Sequence, residues 1–344
     1  MECELILGEE IPAVSVVVMA FNRRQFLSAA LASLDQQSMS KDRFEVILIT
    51  GFELDERIRI PPSLRIMHVI TPTGSMGYTL WKGITLCSAD IVCLLDDDDL
   101  FFRDKLEHVV NVFNMDSRIG LYKNSVNYID QSGTVISDSK ARIKRFFRKN
   151  GCLTTSIKDP QCISKLWKVD AQFNSSSISF RRHIIEPFGE DFKRALRGPD
   201  CFILHAVLDS GSVVFADGVA LTYYRVHSEN VSSSTEPFES YRRWALIYAP
   251  VLKIIQDREL LRMHAFLILE MRKVILLSQI KVHNPMYFQR ILKRVLLRNK
   301  GGLLLYLKTH KFFGLYCLTL LLCGALFGTA RPSRFLNKTA PKEK

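Results

Sequence analysis

The sequence predicts an α/β fold, a mostly parallel sheet flanked by helices in the Rossmann-like manner, with a C-terminal helical extension. Three observations predict it. Short, nearly unbroken aliphatic runs alternate with helix-periodic segments through the first third of the chain, and such runs mark strands buried on both faces. The connections between them are short, which favours βαβ units in one sheet. Charge is split along the chain: residues 241–344 hold 20 Lys/Arg against 4 Asp/Glu, so the net +12 belongs to the tail.

Val14–Met19 reads as the first buried strand, and Asn22 as the cap of a helix on which Phe26, Leu27, Ala30, Leu31 and Leu34 recur at helical spacing. Phe44–Thr50 and Leu64–Ile70 are the next strands. A turn at Gly74–Gly77 opens a helix running to about Ser88, and Ile91–Leu95 is a fourth strand that ends on Asp96-Asp97-Asp98-Asp99. Residues 119–136 read as antiparallel strands around the turn at Asp130–Gly133. Lys140–Lys149 is a basic run, followed by a loop-rich stretch to about 170. Helical periodicity returns at Phe202–Leu208, and Val213–Ala216 with Val219–Arg225 reads as a strand pair joined through Asp217-Gly218. Ser228–Ser240 is a polar linker, and 241–298 is helical in pattern.

The chain has 344 residues, with 47% hydrophobic and 24% charged, which excludes a disordered protein. Eight cysteines without a Cys-x-x-Cys pair suggest buried free thiols in a reducing compartment, not a zinc or disulfide framework. Acidic residues occupy the N-terminus where an export signal would carry Lys or Arg. Phe312–Gly328 is 17 residues without a charge, with Lys308, Lys311, Arg331, Arg334 and Lys338 around it. About 20 apolar residues span a bilayer, so an interfacial or re-entrant anchor with a basic collar is the favoured reading, beside a core helix or a true span. The tail is Leu-rich with few aromatics among its basic residues, which suits the cytoplasmic membrane face and not nucleic acid. The expectation is a cytoplasmic protein, peripherally or monotopically attached to that membrane.

Four consecutive carboxylates repel one another and need a compensating cation. Here they stand at the end of a buried strand and before apolar Leu100-Phe101-Phe102, so they are held at a sheet edge. Ligands of open α/β sheets bind at such strand ends. Hard divalent cations take carboxylate oxygens together with phosphate and water, so the run suits Mg2+ or Mn2+ bridging a diphosphate.

With VSVVVMAFNR at Val14–Arg23, the Gly-containing segment at Gly74–Ala89 and LLDDDDL at the fourth strand, the chain resembles the family-2 glycosyltransferases of GT-A fold over about residues 12–230. The resemblance implies an inverting, hexosyl-type transfer from a nucleotide-sugar donor to a glycan or lipid-linked saccharide acceptor, assisted by Mn2+ or Mg2+. It implies a nucleotide-sugar-binding half over 12–115 and an acceptor and catalytic half over 116–230, within a domain of residues 1–230 followed by the 241–344 extension. The metal motif falls on Asp96 and Asp98, with Asp99 a neighbouring acid. Asp96 and Asp97 also belong with the donor site, as do Ala20, Asn22 and Arg23 after the first strand. Asp200, in Gly198-Pro199-Asp200, takes the place of the catalytic base, although a helix N-cap is the other reading of that residue. Tyr223-Tyr224-Arg225-Val226-His227-Ser228-Glu229-Asn230 resembles the YRxHxxN segment that closes the core, which makes His227 a metal ligand and Arg225 a phosphate contact. Three departures stand out. Thr50-Gly51-Phe52-Glu53 replaces an Asp pair that reads the nucleobase, leaving Glu53 or Asp55 as substitutes, and Lys82 stands in a segment that often carries Arg-Asn. Pro199 replaces a Glu beside the base. These departures also admit a catalytically degenerate fold that binds sugar or scaffolds a complex at the membrane.

Overall fold

All seven residues of the first strand, β1 (Val14–Ala20), are buried, as a strand covered by helices on both faces requires. The structure is a computed structural model, and it describes residues 11–230 apart from 22, 72–74, 137–140, 160–161, 172–173 and 228–229. After β1 come α1 (Leu27–Asp35), β2 (Phe44–Thr50), β3 (Ile66–Ile70), α2 (Met76–Leu86), β4 (Ile91–Asp96), β5 (Leu100–Phe101) and α3 (Lys105–Met115). Then follow β6 (Ile119–Ile129), α4 (Ala141–Asn150), β7 (Cys152–Thr155), α5 (Cys162–Lys168), β8 (Ile178–Arg181), α6 (Arg182–Ile185), α7 (Gly189–Arg194), α8 (Pro199–Asp209) and β9 (Val213–Arg225).

The strands form one sheet in the order β3-β2-β1-β4-β8-β6-β9-β5, with β7 also on β9. The β3-β2-β1-β4 half is parallel throughout, whereas β8 is antiparallel to both its neighbours and β6 pairs parallel with β9. The predicted α/β class is therefore observed, as a mixed sheet. Alternation along the strands splits the core in two. Val16, Val18, Leu48, Cys93 and Leu95 pack with Leu27 and Leu31 of α1 and Leu106, Val109 and Phe113 of α3. Val17, Met19, Ile47, Ile49 and Leu94 pack on the other face with Leu80 and Ile84 of α2 and Phe202 of α8. Gly83 lets α2 approach β1: a Cβ there would lie 2.5 Å from Val17 Cγ1.

Several local expectations are corrected. α1 begins at Leu27 with Phe26 at its cap, not at Asn22, because residues 23–26 first turn back towards the sheet end. Asn22 itself lies outside the described residues. The stretch read as loop-rich contains β7 and α5, and the basic run is helix α4. Residues 119–129 form one long strand, followed by a single bridge, Ile129 to Val135, across the Asp130–Gly133 turn. The expected strand pair at 213–225 is one strand. Asp217-Gly218 makes an irregularity in its register instead of a turn, Val219 N donating to Asp217 Oδ1 at 3.0 Å. Among the described residues no helix is long and apolar enough to cross a membrane. The linker beyond residue 230, the 241–344 extension and its 312–328 segment lie outside the described residues.

Candidate active site

In the order β3-β2-β1-β4 the winding reverses between β1 and β4, and open α/β sheets take their ligands off the carboxyl ends of the strands at such a reversal. The residues that follow each strand meet there. Asp96 ends β4, and Asp97–Asp99 form the turn into β5, closed by Asp99 N donating to Asp96 O at 3.2 Å. The turn gathers carboxylate oxygens of Asp96, Asp98 and Asp99 within 4.8 Å of one another. Asp97, Asp98 and Asp99 are buried.

Their counter-charges arrive from β1 and β9. Arg23 donates to Asp97 Oδ1 at 2.5 Å and also to Asp98 Oδ2. His227 Nε2 lies 2.9 Å from that Asp98 oxygen and 3.3 Å from Arg23 Nη1. Arg225 donates its backbone N–H to Asp99 Oδ1 at 2.9 Å and its Nε–H to Asp98 O at 2.8 Å, with its guanidinium 4.7 Å from the centre of the Phe26 ring. Asn230 fixes this return of the chain, accepting from His227 N at 2.6 Å and donating to Arg225 O at 3.0 Å.

The cluster is short of positive charge. Burial, then the neighbouring carboxylates, push Asp96 well above the usual range. Burial raises Asp97 to about 7 against the pull of Arg23, and raises Asp99 to about 7 with Asp98 adding to it. Burial works against the Arg23 guanidinium, but Asp97, Asp98 and Asp96 hold it above its ordinary value. Asp97 Oδ2 is buried without a hydrogen-bond partner among the described residues. Three converging carboxylates with an imidazole beside them are the donor set of a hard divalent cation, and the residues fit Mg2+ or Mn2+.

Asp200 is the second residue of α8, half-buried. The helix cap is Gly198, at φ 70°, and Pro199 takes the first helical position. Asp200 is therefore not the N-cap. Burial raises its carboxyl to about 6, while the peptide N–H groups of Cys201 and Asp200 and the Lys123 ammonium pull it back. Asp96 feels its charge, so the two carboxylates share one field.

The other expected residues stand further out. Ala20 ends β1, and its carbonyl accepts from Gly51 N at 2.9 Å, tying the ends of β1 and β2. Glu53 is exposed beyond β2, and Asp55 is taken by Arg57 at 2.6 Å and by Arg24. His68 of β3 lies 2.8 Å from Thr50 Oγ1 in the same corner. Lys82 is half-buried on α2, with no hydrogen bond or ion pair of its ammonium among the described residues.

Sequence reasoning missed the layer beneath the aspartates. Asn174, at φ 67°, donates to Asp99 Oδ2 at 2.8 Å, and Ser176 Oγ accepts from Asp96 N at 2.9 Å. Lys105 is wholly buried below them. A fully buried lysine carries no local sequence signal, because Lys105 opens a helix whose pattern is ordinary.

Residues 15–171 match the family model described as glycosyl transferase family 2. An uncharacterized glycosyltransferase of Mycoplasma genitalium is 22% identical over 245 residues, 68% of this chain and 75% of the relative. Among solved structures, residues 1–349 of S. aureus TarS in complex with UDP-GlcNAc superpose with a TM-score of 0.50 at 15% identity, over 70% of this chain. The chain spans just under two thirds (66%) of that TarS segment. A Pyrobaculum calidifontis mannosyltransferase in complex with GDP-Man and Mn2+ gives 0.51 at 14% identity, over 95% of this chain and 83% of its own. These two likenesses show a shared fold. Over residues 15–171 the chain is similar to the family-2 glycosyltransferases.

Proposed function

We propose that the chain moves a sugar from a nucleotide-diphosphate sugar to a hydroxyl of a glycan or lipid-linked acceptor, with inversion, at the carboxyl ends of β1 and β4. The observation that carries this is the convergence of Asp96, Asp98 and Asp99 within 4.8 Å, with Asp200 in the same field. Asp96, Asp98 and Asp99 would hold Mn2+ or Mg2+, with His227 beside Asp98. When bound, the cation neutralises the donor diphosphate and assists its departure as leaving group. Arg23 and Arg225 would meet phosphate, and Asp96 and Asp97 would orient the donor. Asp200 accepts the proton of the acceptor hydroxyl as the oxygen bonds to the anomeric carbon. The bond from that carbon to the phosphate oxygen breaks, and its electron pair leaves on the diphosphate. A single in-line displacement inverts the centre. With its carboxyl near 6, Asp200 is ionised at neutral pH and more basic than an ordinary carboxylate. The basic tail and its uncharged 312–328 segment support action at the cytoplasmic face of a membrane, on a lipid-linked acceptor.

The test is a panel of nucleotide-sugars with Mn2+ or Mg2+, read by calorimetric binding and by donor turnover. Wild type binds one donor in a metal-dependent way, and its kcat/KM falls as pH drops through about 6. Asp200→Asn retains donor binding and loses transfer by about a hundredfold or more. Absence of metal-dependent binding across the panel would remove the catalytic reading, and full transfer by Asp200→Asn would remove the base.

A further inference from the structure

A lysine with no exposed surface lies directly under the aspartate turn. Lys105 follows β5 and opens α3, and its ammonium lies 4.0 Å from the centre of the Phe101 ring. Its three protons have three acceptors: Asn124 Oδ1 on β6 at 3.0 Å, Thr222 Oγ1 on β9 at 3.0 Å, and the carbonyl oxygen of Ser176, just before β8. Thr222 Oγ1 is saturated in turn, accepting also from Asn124 Nδ2 at 3.1 Å and donating to Ser176 O at 2.9 Å. Lys105, Asn124, Ser176 and Thr222 are all buried.

Two branches of this network lead to the site, through Ser176 and Thr222, while Asn124 Nδ2 also donates to Ser125 O at 2.7 Å. Ser176 Oγ accepts from the backbone of Asp96 and bonds the Asp99 carboxylate. Thr222 lies three residues before Arg225, whose N–H holds Asp99 Oδ1. Burying a lysine costs several kcal/mol of desolvation, and an apolar side chain would fill the same volume at less cost. The network's geometry accounts for its presence: one cation joins α3, β6, the turn before β8 and β9 at the point where Asp96 and Asp99 are fixed.

We infer that Lys105 is a positioning residue, which through Ser176 and Thr222 holds Asp96 and Asp99 in the arrangement that binds the divalent cation. This rests on the metal role proposed above for those aspartates. The test uses the full chain and Mn2+ alone, with free Mn2+ read by its EPR signal and folding by circular dichroism and thermal midpoint. Lys105→Met raises the Mn2+ dissociation constant about tenfold or more, as loss of an outer support of a metal ligand does. If Lys105→Met does not fold, Thr222→Val shows the same weakening, while Thr222→Ser, which keeps the hydroxyl, restores wild-type affinity. Tighter Mn2+ binding by Lys105→Met overturns the inference, since it would make the ammonium only a competing charge. Unchanged affinity with a lowered midpoint overturns it too, leaving Lys105 a packing residue. If wild type binds no Mn2+, the metal reading itself falls and this inference with it; equal affinity in wild type and the variants defeats the inference alone.

Discussion

Asp98 carries the most contested carboxylate oxygen of the site. Its Oδ2 meets both the Arg23 guanidinium and His227 Nε2, and it also belongs to the trio that converges for a cation. Without metal, Arg23 is the charge that offsets Asp97 and Asp98, so a bound cation must compete with it. Arg23→Gln should therefore bind Mn2+ more tightly in the absence of donor. Removing a unit charge at this partly solvated range is worth on the order of 1 kcal/mol, or about fivefold. The same variant should bind the nucleotide-sugar more weakly, having lost a diphosphate contact. Mn2+ titrations with and without donor read both effects, and weaker Mn2+ binding by the variant would show that Arg23 builds the site and does not oppose the cation. At this scale the sequence was informative wherever chemistry is written locally. Four adjacent acids, Asp200 after Pro199 and His227 within an eight-residue segment were all visible in it. Lys105, Asn174 and Ser176 were not, because what distinguishes them is burial and long-range pairing across 70 residues or more.

Among the elements, the parallel half of the sheet was readable because its strands are unbroken apolar runs between helices of clean periodicity. The later half was not. β8 and β7 are four residues each, and Cys152-Leu153-Thr154-Thr155 shows no apolar alternation in sequence, so neither stands above its surroundings in pattern. Asp217-Gly218 has the composition of a hairpin turn, but Tyr122 OH donates to Asp217 Oδ1 at 3.0 Å and His108 Nε2 lies 3.2 Å from Oδ2. These tertiary contacts hold it within a strand. α2 and α7 show what such contacts demand of a helix. A Cβ on Gly77 would lie 2.2 Å from Phe192 O and 2.3 Å from Ala195 O, both backbone atoms. Gly77→Ala gains up to about 1 kcal/mol of helix propensity but must push α2 and α7 apart at their backbones, an overpacking that costs about 1–3 kcal/mol or more. It also endangers the Gly77 N to Ala195 O bond of 2.9 Å. We expect a lower denaturation midpoint and, because α7 leads into Gly198-Pro199-Asp200, a lower kcat. A midpoint equal to or above that of wild type would show that the helices separate without penalty.

For the whole molecule, the site sets a relation between stability, pH and metal. Asp96, Asp97, Asp99 and Asp200 all have folded values raised by burial, so the metal-free fold holds protons that the unfolded chain releases. For Asp97, Asp99 and Asp200 the favourable contribution is complete below the unfolded value of about 4 and is lost as pH rises through about 6 to 7, and Asp96 acts in the same sense. Asp55, held at about 2 chiefly by its hydrogen bonds to Arg57, acts in the opposite sense but below this window. Lys105, pushed down to about 7 by burial, acts above it. A divalent cation reverses the trend, because it takes the deprotonated carboxylates and releases the protons they held. At a concentration near 100 times its dissociation constant it adds about 2.7 kcal/mol, or about 5–10 °C in midpoint for a domain of this size. Thermal melts at pH 5.5 and pH 7.5, in EDTA and in Mn2+, should then diverge: the EDTA midpoint falls with pH while the gain from Mn2+ grows. A gain from Mn2+ that is equal at both values would mean that the cation binds without displacing protons. The raised carboxylates would then lie outside its coordination, and the site would have to be sought away from the turn at Asp96–Asp99.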